Sequence, residues 1–136
     1  SREKGAVCIM QIGGKLKSGN KHDGRSPDYD DWTLNCDILL YFDVLDIGLE
    51  ISSMGVRVDE DALAKQLDEA GCNERRELPF HKAVLERKLP YSIGGGIGQS
   101  RLCMFFLKKM HIGEVQASVW PEEQEKELLK QGCKLL

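Results

Sequence analysis

The chain opens with a short apolar, β-prone run at residues 6–12 (AVCIMQI) closed by Gly13 and Gly14, which predicts a strand ending in a tight turn. Polar residues then dominate positions 15–32, where Gly19, Asn20, Gly24 and Pro27 stand among charges. A stretch of that length in a compact domain reads as a binding loop or lid, or equally as a mobile surface loop. Two runs rich in β-branched, aromatic and aliphatic residues follow, 36–42 (CDILLYF) and 47–58 (IGLEISSMGVRV), separated by a turn at 43–46. They predict two neighbouring strands paired antiparallel.

From Asp59 the period changes. Ala62, Leu63, Gln66, Leu67 and Ala70 recur at helical spacing, with Asp59 as the cap and Gly71 as the stop. A second helix starts near Pro79, carries Phe80, Val84 and Leu85 on one face, and ends before Pro90. Next come a short strand through Tyr91, Ser92 and Ile93, a glycine turn containing Gly94, Gly95, Gly96 and Gly98, and a strongly apolar helix over 99–109. Residues 115–120 read as extended, and Pro121 opens a last helix with Glu122 and Glu123 at its positive end. Strands joined by short turns, with helices gathered afterwards, predict an α+β fold with a largely antiparallel sheet rather than a doubly wound α/β fold.

Composition narrows this little. The 136 residues suit one modest domain, and a net charge of -3 carries no footprint for nucleic acid. The longest apolar run, 103–107, is far short of the ~20 residues that span a bilayer, and the amino end lacks a signal-peptide core, so a cytoplasmic protein without a membrane partner is expected. Cys8, Cys36, Cys72, Cys103 and Cys133 are scattered, without a Cys-x-x-Cys pair, and His22, His81 and His111 form no zinc signature. Neither a disulfide scaffold nor a protein-ligated structural metal is expected.

Three segments carry candidate chemistry. In GGGIGQSR (94–101), glycines before a helix let a ring or phosphate approach the backbone near unpaired N–H groups. The string matches neither a dinucleotide fingerprint nor a P-loop, and close helix packing explains it as well. On the strand at 47–58, alternation puts Glu50, Ser52 and Met54 on one face and Ile51, Ser53 and Gly55 on the other. A carboxylate beside hydroxyls suits Mg²⁺ and Arg57 suits phosphate, although a cross-strand salt bridge accounts for the same residues. Around Tyr29 and Trp32, the ionic residues Arg25, Asp28, Asp30 and Asp31 either read an amino acid's ammonium and carboxylate or form a solvated acidic turn.

Taken together, IGGKL (12–16), HDGRSPDYDDW (22–32), EISSMGVRVD (50–59), IGGGIGQSR (93–101) and HIGEVQASVWP (111–121) resemble, in order, the blocks of ammonia-dependent asparagine synthetase, or aspartate–ammonia ligase. That family is related to the class II aspartyl- and asparaginyl-tRNA synthetases. The resemblance implies a partial class II aminoacyl-tRNA synthetase-like core, α+β with helices flanking the sheet. Residues 1–136 would be the C-terminal part of the catalytic domain, and the full-length enzyme a homodimer. It further implies ATP, L-aspartate and ammonia as substrates, Mg²⁺ with ATP, and a β-aspartyl-adenylate that releases AMP and pyrophosphate.

Carried over residue by residue, Glu50 would hold Mg²⁺, and Ser52, Ser53 and Met54 would line the nucleotide site. Arg57 would contact phosphate, Gly94, Gly95, Gly96 and Gly98 would pack against adenosine, and Arg101 would stabilise the nucleotide's phosphates as a catalytic residue. Asp30, also catalytic, would bind the aspartate amino group, supported by Arg25 and Asp28.

The sequence departs from that pattern in three ways. The family is longer, and its amino-terminal half supplies the dimer interface and a further phosphate-gripping arginine, so this segment by itself is expected to be inactive. The chain runs straight from Trp32 through Thr33 and Leu34, where the family has a glycine-containing loop. Cys36 stands where the family has glycine. The competing readings are a tRNA-synthetase-like core and a fragment or pseudoenzyme that binds ATP or asparagine without turnover.

Overall fold

A computed structural model describes residues 1–20, 22 and 24–136; within the loop expected at 15–32, Lys21 and Asp23 lie outside the described residues. Four strands, β1 (Ala6–Met10), β2 (Asp30–Phe42), β3 (Ile47–Arg57) and β4 (Ile93–Ile97), form one sheet in the order β1-β2-β3-β4. Four α-helices accompany them: α1 (Glu60–Ala70), α2 (Pro79–Leu85), α3 (Gln99–Phe106) and α4 (Glu122–Lys130). The α+β architecture with an antiparallel sheet is thus as expected. The chain divides into two compact units, one made of Ser1–Val7, Ile38–Ser52 and Ile97–Leu136, the other of Cys8–Asp37 and Ser53–Gly96.

In the second unit, Val58, Leu63, Leu67 and Val84 form the core, with Ala62, Cys72 and Leu85 packed on it. Helix α1 carries the termini its sequence predicts. The Asp59 side chain accepts from Ala62 N–H at 2.8 Å, and Gly71 closes the helix in the left-handed region at φ 69°. Gly13, at φ 127°, lies so close to Trp32 that an added Cβ would sit 2.4 Å from the ring, so both the turn and the packing require glycine.

In the first unit, Phe42, Leu49 and Met104 are buried against Val44, Ile51, Phe105, Ile112 and Val115. Helix α3 ends before the expected 109. Lys108 takes a positive φ of 53°, its N–H bonding Phe105 O, while Lys109 N–H reaches back to Met104 O at 2.9 Å. That is a Schellman ending built without glycine, which is why composition did not mark it. Residues 115–120 are not a strand. Ahead of them a 3₁₀ turn, Ile112–Glu114, is capped reciprocally by His111 and Glu114.

Two further expectations need correction. Strand β2 begins at Asp30 rather than at 36, because a tertiary partner holds its start: Trp32 N–H donates to Gln66 Oε1 at 2.8 Å. Across Thr33 and Leu34, both exposed, the burial phase slips by one residue, from Asp30 and Trp32 to Asn35 and Asp37, as it does at a bulge. The glycines at 94–96 are strand rather than turn. Arg57 N–H bonds Ser92 O and Gly98 N–H bonds Ile51 O, each at 2.9 Å, in one antiparallel register that sets Gly95 opposite Met54.

Candidate active site

In the second unit, strand alternation puts Ser53, Gly55 and Arg57 on one face of β3, and that face meets the start of β2. A Cβ on Gly55 would come within 2.9 Å of both Asp30 and Asn35, so glycine admits the Asp30 carboxylate beneath it. Asp30 is fully buried, and its two oxygens are divided between two arginines. Arg57 Nη1 donates to Oδ1, and Arg25 Nη2 lies 3.2 Å from Oδ2. Arg25 also donates through Nη1 to both oxygens of Asp37, at 3.0 and 3.1 Å, and through Nη2 to Ser53 Oγ at 2.7 Å.

Two guanidiniums and two carboxylates therefore neutralise one another in a nearly dry environment, where removing a single partner leaves an uncompensated charge. Burial disfavours the Arg25 cation, but Asp37 and Asp30 outweigh it and hold its pKa above the ordinary value. Arg25 Nε is buried without a hydrogen-bond partner among the described residues.

Arg57 lies with its guanidinium carbon 3.9 Å from the Tyr29 ring centre and donates to the Tyr29 hydroxyl at 2.9 Å. The two residues border a cavity of about 360 Å³, whose wall also includes Asp28, Phe80, Tyr91 and Ser92. Asp28 Oδ2 sits 2.8 Å from His81 Nε2 and 3.2 Å from Arg75 Nη1, and its other oxygen accepts from Ser26. Burial pushes the Asp28 carboxyl up, yet the bonds from Ser26 and His81 prevail and leave its pKa below the usual carboxylate range. Gln66, buried on α1, spans the loop by donating to Pro27 O at 2.9 Å and Asp30 O at 3.0 Å.

In the first unit, Arg101 at the start of α3 donates to Glu50 through both the carbonyl oxygen, at 3.1 Å, and Oε1, at 3.2 Å. Both side chains remain about half exposed, at 47% and 45%. Gly98 precedes α3, and Ser52 is buried.

A family model described as aspartate-ammonia ligase matches residues 1–132. The chain belongs to the aspartate–ammonia ligase family. A curated aspartate–ammonia ligase of Clostridium perfringens is 68% identical over 122 residues, which is 90% of this chain and 36% of that protein. The Ruminiclostridium cellulolyticum ligase is 60% identical over all 136 residues, 40% of its length. The chain thus spans about two fifths of the ligases it matches. A solved asparaginyl-tRNA synthetase of Entamoeba histolytica gives a TM-score of 0.45 at 20% identity, covering 79% of this chain and 22% of that one, a likeness too slight to carry further meaning.

Within this chain, Arg25, Asp30, Ser53 and Arg57 are brought into one network, Asp28 stands beside it on the same loop, and Glu50 meets Arg101. The glycines expected to face a nucleotide divide by role. A Cβ on Gly94 would fall 2.4 Å from Arg57 Nη2 and one on Gly95 2.9 Å from Met54 Cβ, whereas one on Gly96 would meet nothing within 4 Å. Asp37, Gln66, Tyr29 and His81 were not among the site residues expected from the sequence. A carboxylate in the otherwise apolar β2 run and a glutamine on the buried stripe of α1 were the available signals.

Proposed function

We propose that the chain supplies nucleotide- and aspartate-binding residues of an ATP-dependent, asparagine-forming ligase, as the C-terminal part of a class II synthetase-like catalytic domain that works as a homodimer in the cytoplasm. The observation that carries this reading is the 60% identity to a protein named aspartate–ammonia ligase across every residue of the chain. In the reaction, an aspartate β-carboxylate oxygen attacks the α-phosphorus of ATP, and the bond to pyrophosphate breaks. Ammonia then adds to the acyl carbon and loses a proton as AMP departs with the bonding pair.

Such chemistry depends chiefly on positioning and on fixed positive charge around the phosphates. Arg101, exposed and tied only loosely to Glu50, is the cation best placed to move onto a nucleotide. Ser52, Ser53, Met54 and Arg57 line the same strand, and Gly96 has the room for close approach of a ring. Among the described residues no group of three or more His, Cys, Asp or Glu could hold a metal ion. The single Glu50 carboxylate suits a Mg²⁺ that arrives on the triphosphate, because such ions keep most of their oxygens on phosphate and water. When bound, that ion offsets triphosphate charge.

On the substrate side, Arg25 and Asp28 hold the loop that carries Tyr29 and leads into Asp30 at the start of β2. The buried Asp30 carboxylate, fully engaged by two arginines, acts by fixing Arg25 and Arg57 rather than by touching the amino group directly. Asp30→Asn should then weaken aspartate and ATP together; selective loss of aspartate would restore direct contact. The reading as a whole is tested with a polypeptide carrying these residues, given ATP, Mg²⁺, aspartate and ¹⁵N-ammonium. One AMP per ¹⁵N-labelled asparagine is the expected result. ADP in place of AMP, or AMP formation indifferent to aspartate, would sink it.

A further inference from the structure

Two thiols that the proposed chemistry does not use share one face of the β1–β2 pair. Gln11 N–H bonds Asn35 O at 3.2 Å and Tyr41 N–H bonds Gly5 O at 2.7 Å, in a common antiparallel register that sets Met10 opposite Cys36 and Cys8 opposite Ile38. Directly opposed residues project to the same side of a sheet, so Cys8 and Cys36 point the same way, one diagonal step apart. Cross-strand side chains at that spacing interact. Both cysteines are free; Cys8 is exposed and Cys36 partly so. The neighbouring Cys8 thiol, then partial burial, push the Cys36 pKa up.

We propose that Cys8 and Cys36 are a reversible oxidation site, closing to an intrachain disulfide when the protein meets a hydroperoxide. The exposed Cys8 reacts first. Its thiolate attacks one peroxide oxygen, the O–O bond breaks, and Cys8 becomes a sulfenic acid. The Cys36 sulfur then displaces the sulfenic hydroxyl, losing its own proton, so that two thiols and one hydrogen peroxide yield one disulfide and two waters. A diagonal pair, at about 7–8 Å, lies just beyond the Cα separation that a relaxed disulfide spans, so closure needs a backbone shift. The bridge therefore draws the strands together and belongs to the strained, exposed class that reductants reopen readily. Cys36 is bonded directly to Asp37, whose carboxylate holds Arg25 Nη1, so closure shifts the group that positions a site arginine.

The test is independent of any ligase activity. The protein is pulsed with hydrogen peroxide, remaining thiols are blocked with N-ethylmaleimide under denaturing conditions, and the chain is digested with trypsin without reduction. Peptide 5–15, bearing Cys8, should appear linked to peptide 26–57, bearing Cys36, at their summed mass less two hydrogens. The link should come from monomer-sized chains, vanish with dithiothreitol, and be absent in Cys8→Ser and Cys36→Ser. Three results would overturn the proposal: both thiols still alkylated at doses that oxidise the exposed Cys103, the link confined to covalent dimers, or Cys8 overoxidised while Cys36 stays free.

Discussion

Arg25 Nη1 donates to both carboxylate oxygens of Asp37, at 3.0 and 3.1 Å, joining the loop before β2 to the strand position just beyond the slip at Thr33 and Leu34. Both side chains are close to fully buried, at 12% and 9% exposure. Asp37→Ala should therefore cost about 3–5 kcal/mol, the scale for stranding one member of a buried ion pair. Urea denaturation measures it. A loss below about 1 kcal/mol would mean that Arg25 finds water or Asp30 sufficient.

The β4 glycines separate packing from access. An alanine at Gly95 must push against Met54 Cβ at 2.9 Å, with strand backbone close behind, and overpacking of that kind costs about 1–3 kcal/mol. Gly96→Ala has room and should change stability by no more than about 0.5 kcal/mol, as open positions do. If a nucleotide ring approaches Gly96, that substitution weakens ATP binding about tenfold while the melting temperature holds. Equal melting losses at the two positions would contradict the geometry.

Asp28 makes stability depend on pH. Its folded pKa lies below the value of about 3.9 expected in the unfolded chain, so between the two values the unfolded state binds more protons and stability rises with pH. The contribution is complete above about pH 4 and is lost as pH falls through the folded value. Asp28→Asn should be less stable than wild type at pH 7, with the gap narrowing below pH 4. A gap that is constant from pH 7 to pH 2 would place the loss in packing rather than in the charge facing His81 and Arg75.

Arg101 and Glu50 form a half-exposed pair, and such pairs contribute at most about 1 kcal/mol. Arg101→Ala should leave the fold and melting temperature intact while abolishing aspartate-dependent pyrophosphate release. Wild-type turnover in that variant would remove Arg101 from the proposed phosphate site.

Local signals were legible where the chain makes its own structure. Asp59 and Gly71 bound α1 because a cap side chain and a left-handed glycine act within one helical turn, and the Asp43–Asp46 turn with its flanking β-prone runs sufficed for the β2–β3 hairpin. The ends of α3 and β2 were not legible: Lys108 enters the left-handed region without being glycine, and the Asp30 end of β2 depends on Gln66, more than thirty positions away. The same division holds in the site. The types and order of Arg25, Asp28, Asp30, Glu50, Arg57 and Arg101 were set out along the sequence, and with them the family. That Asp30 is shared between two arginines, that Asp37 joins them, and that only Gly96 of the three β4 glycines has open space were decided by tertiary structure, because strand register and burial determine which distant charges meet and which Cβ has room.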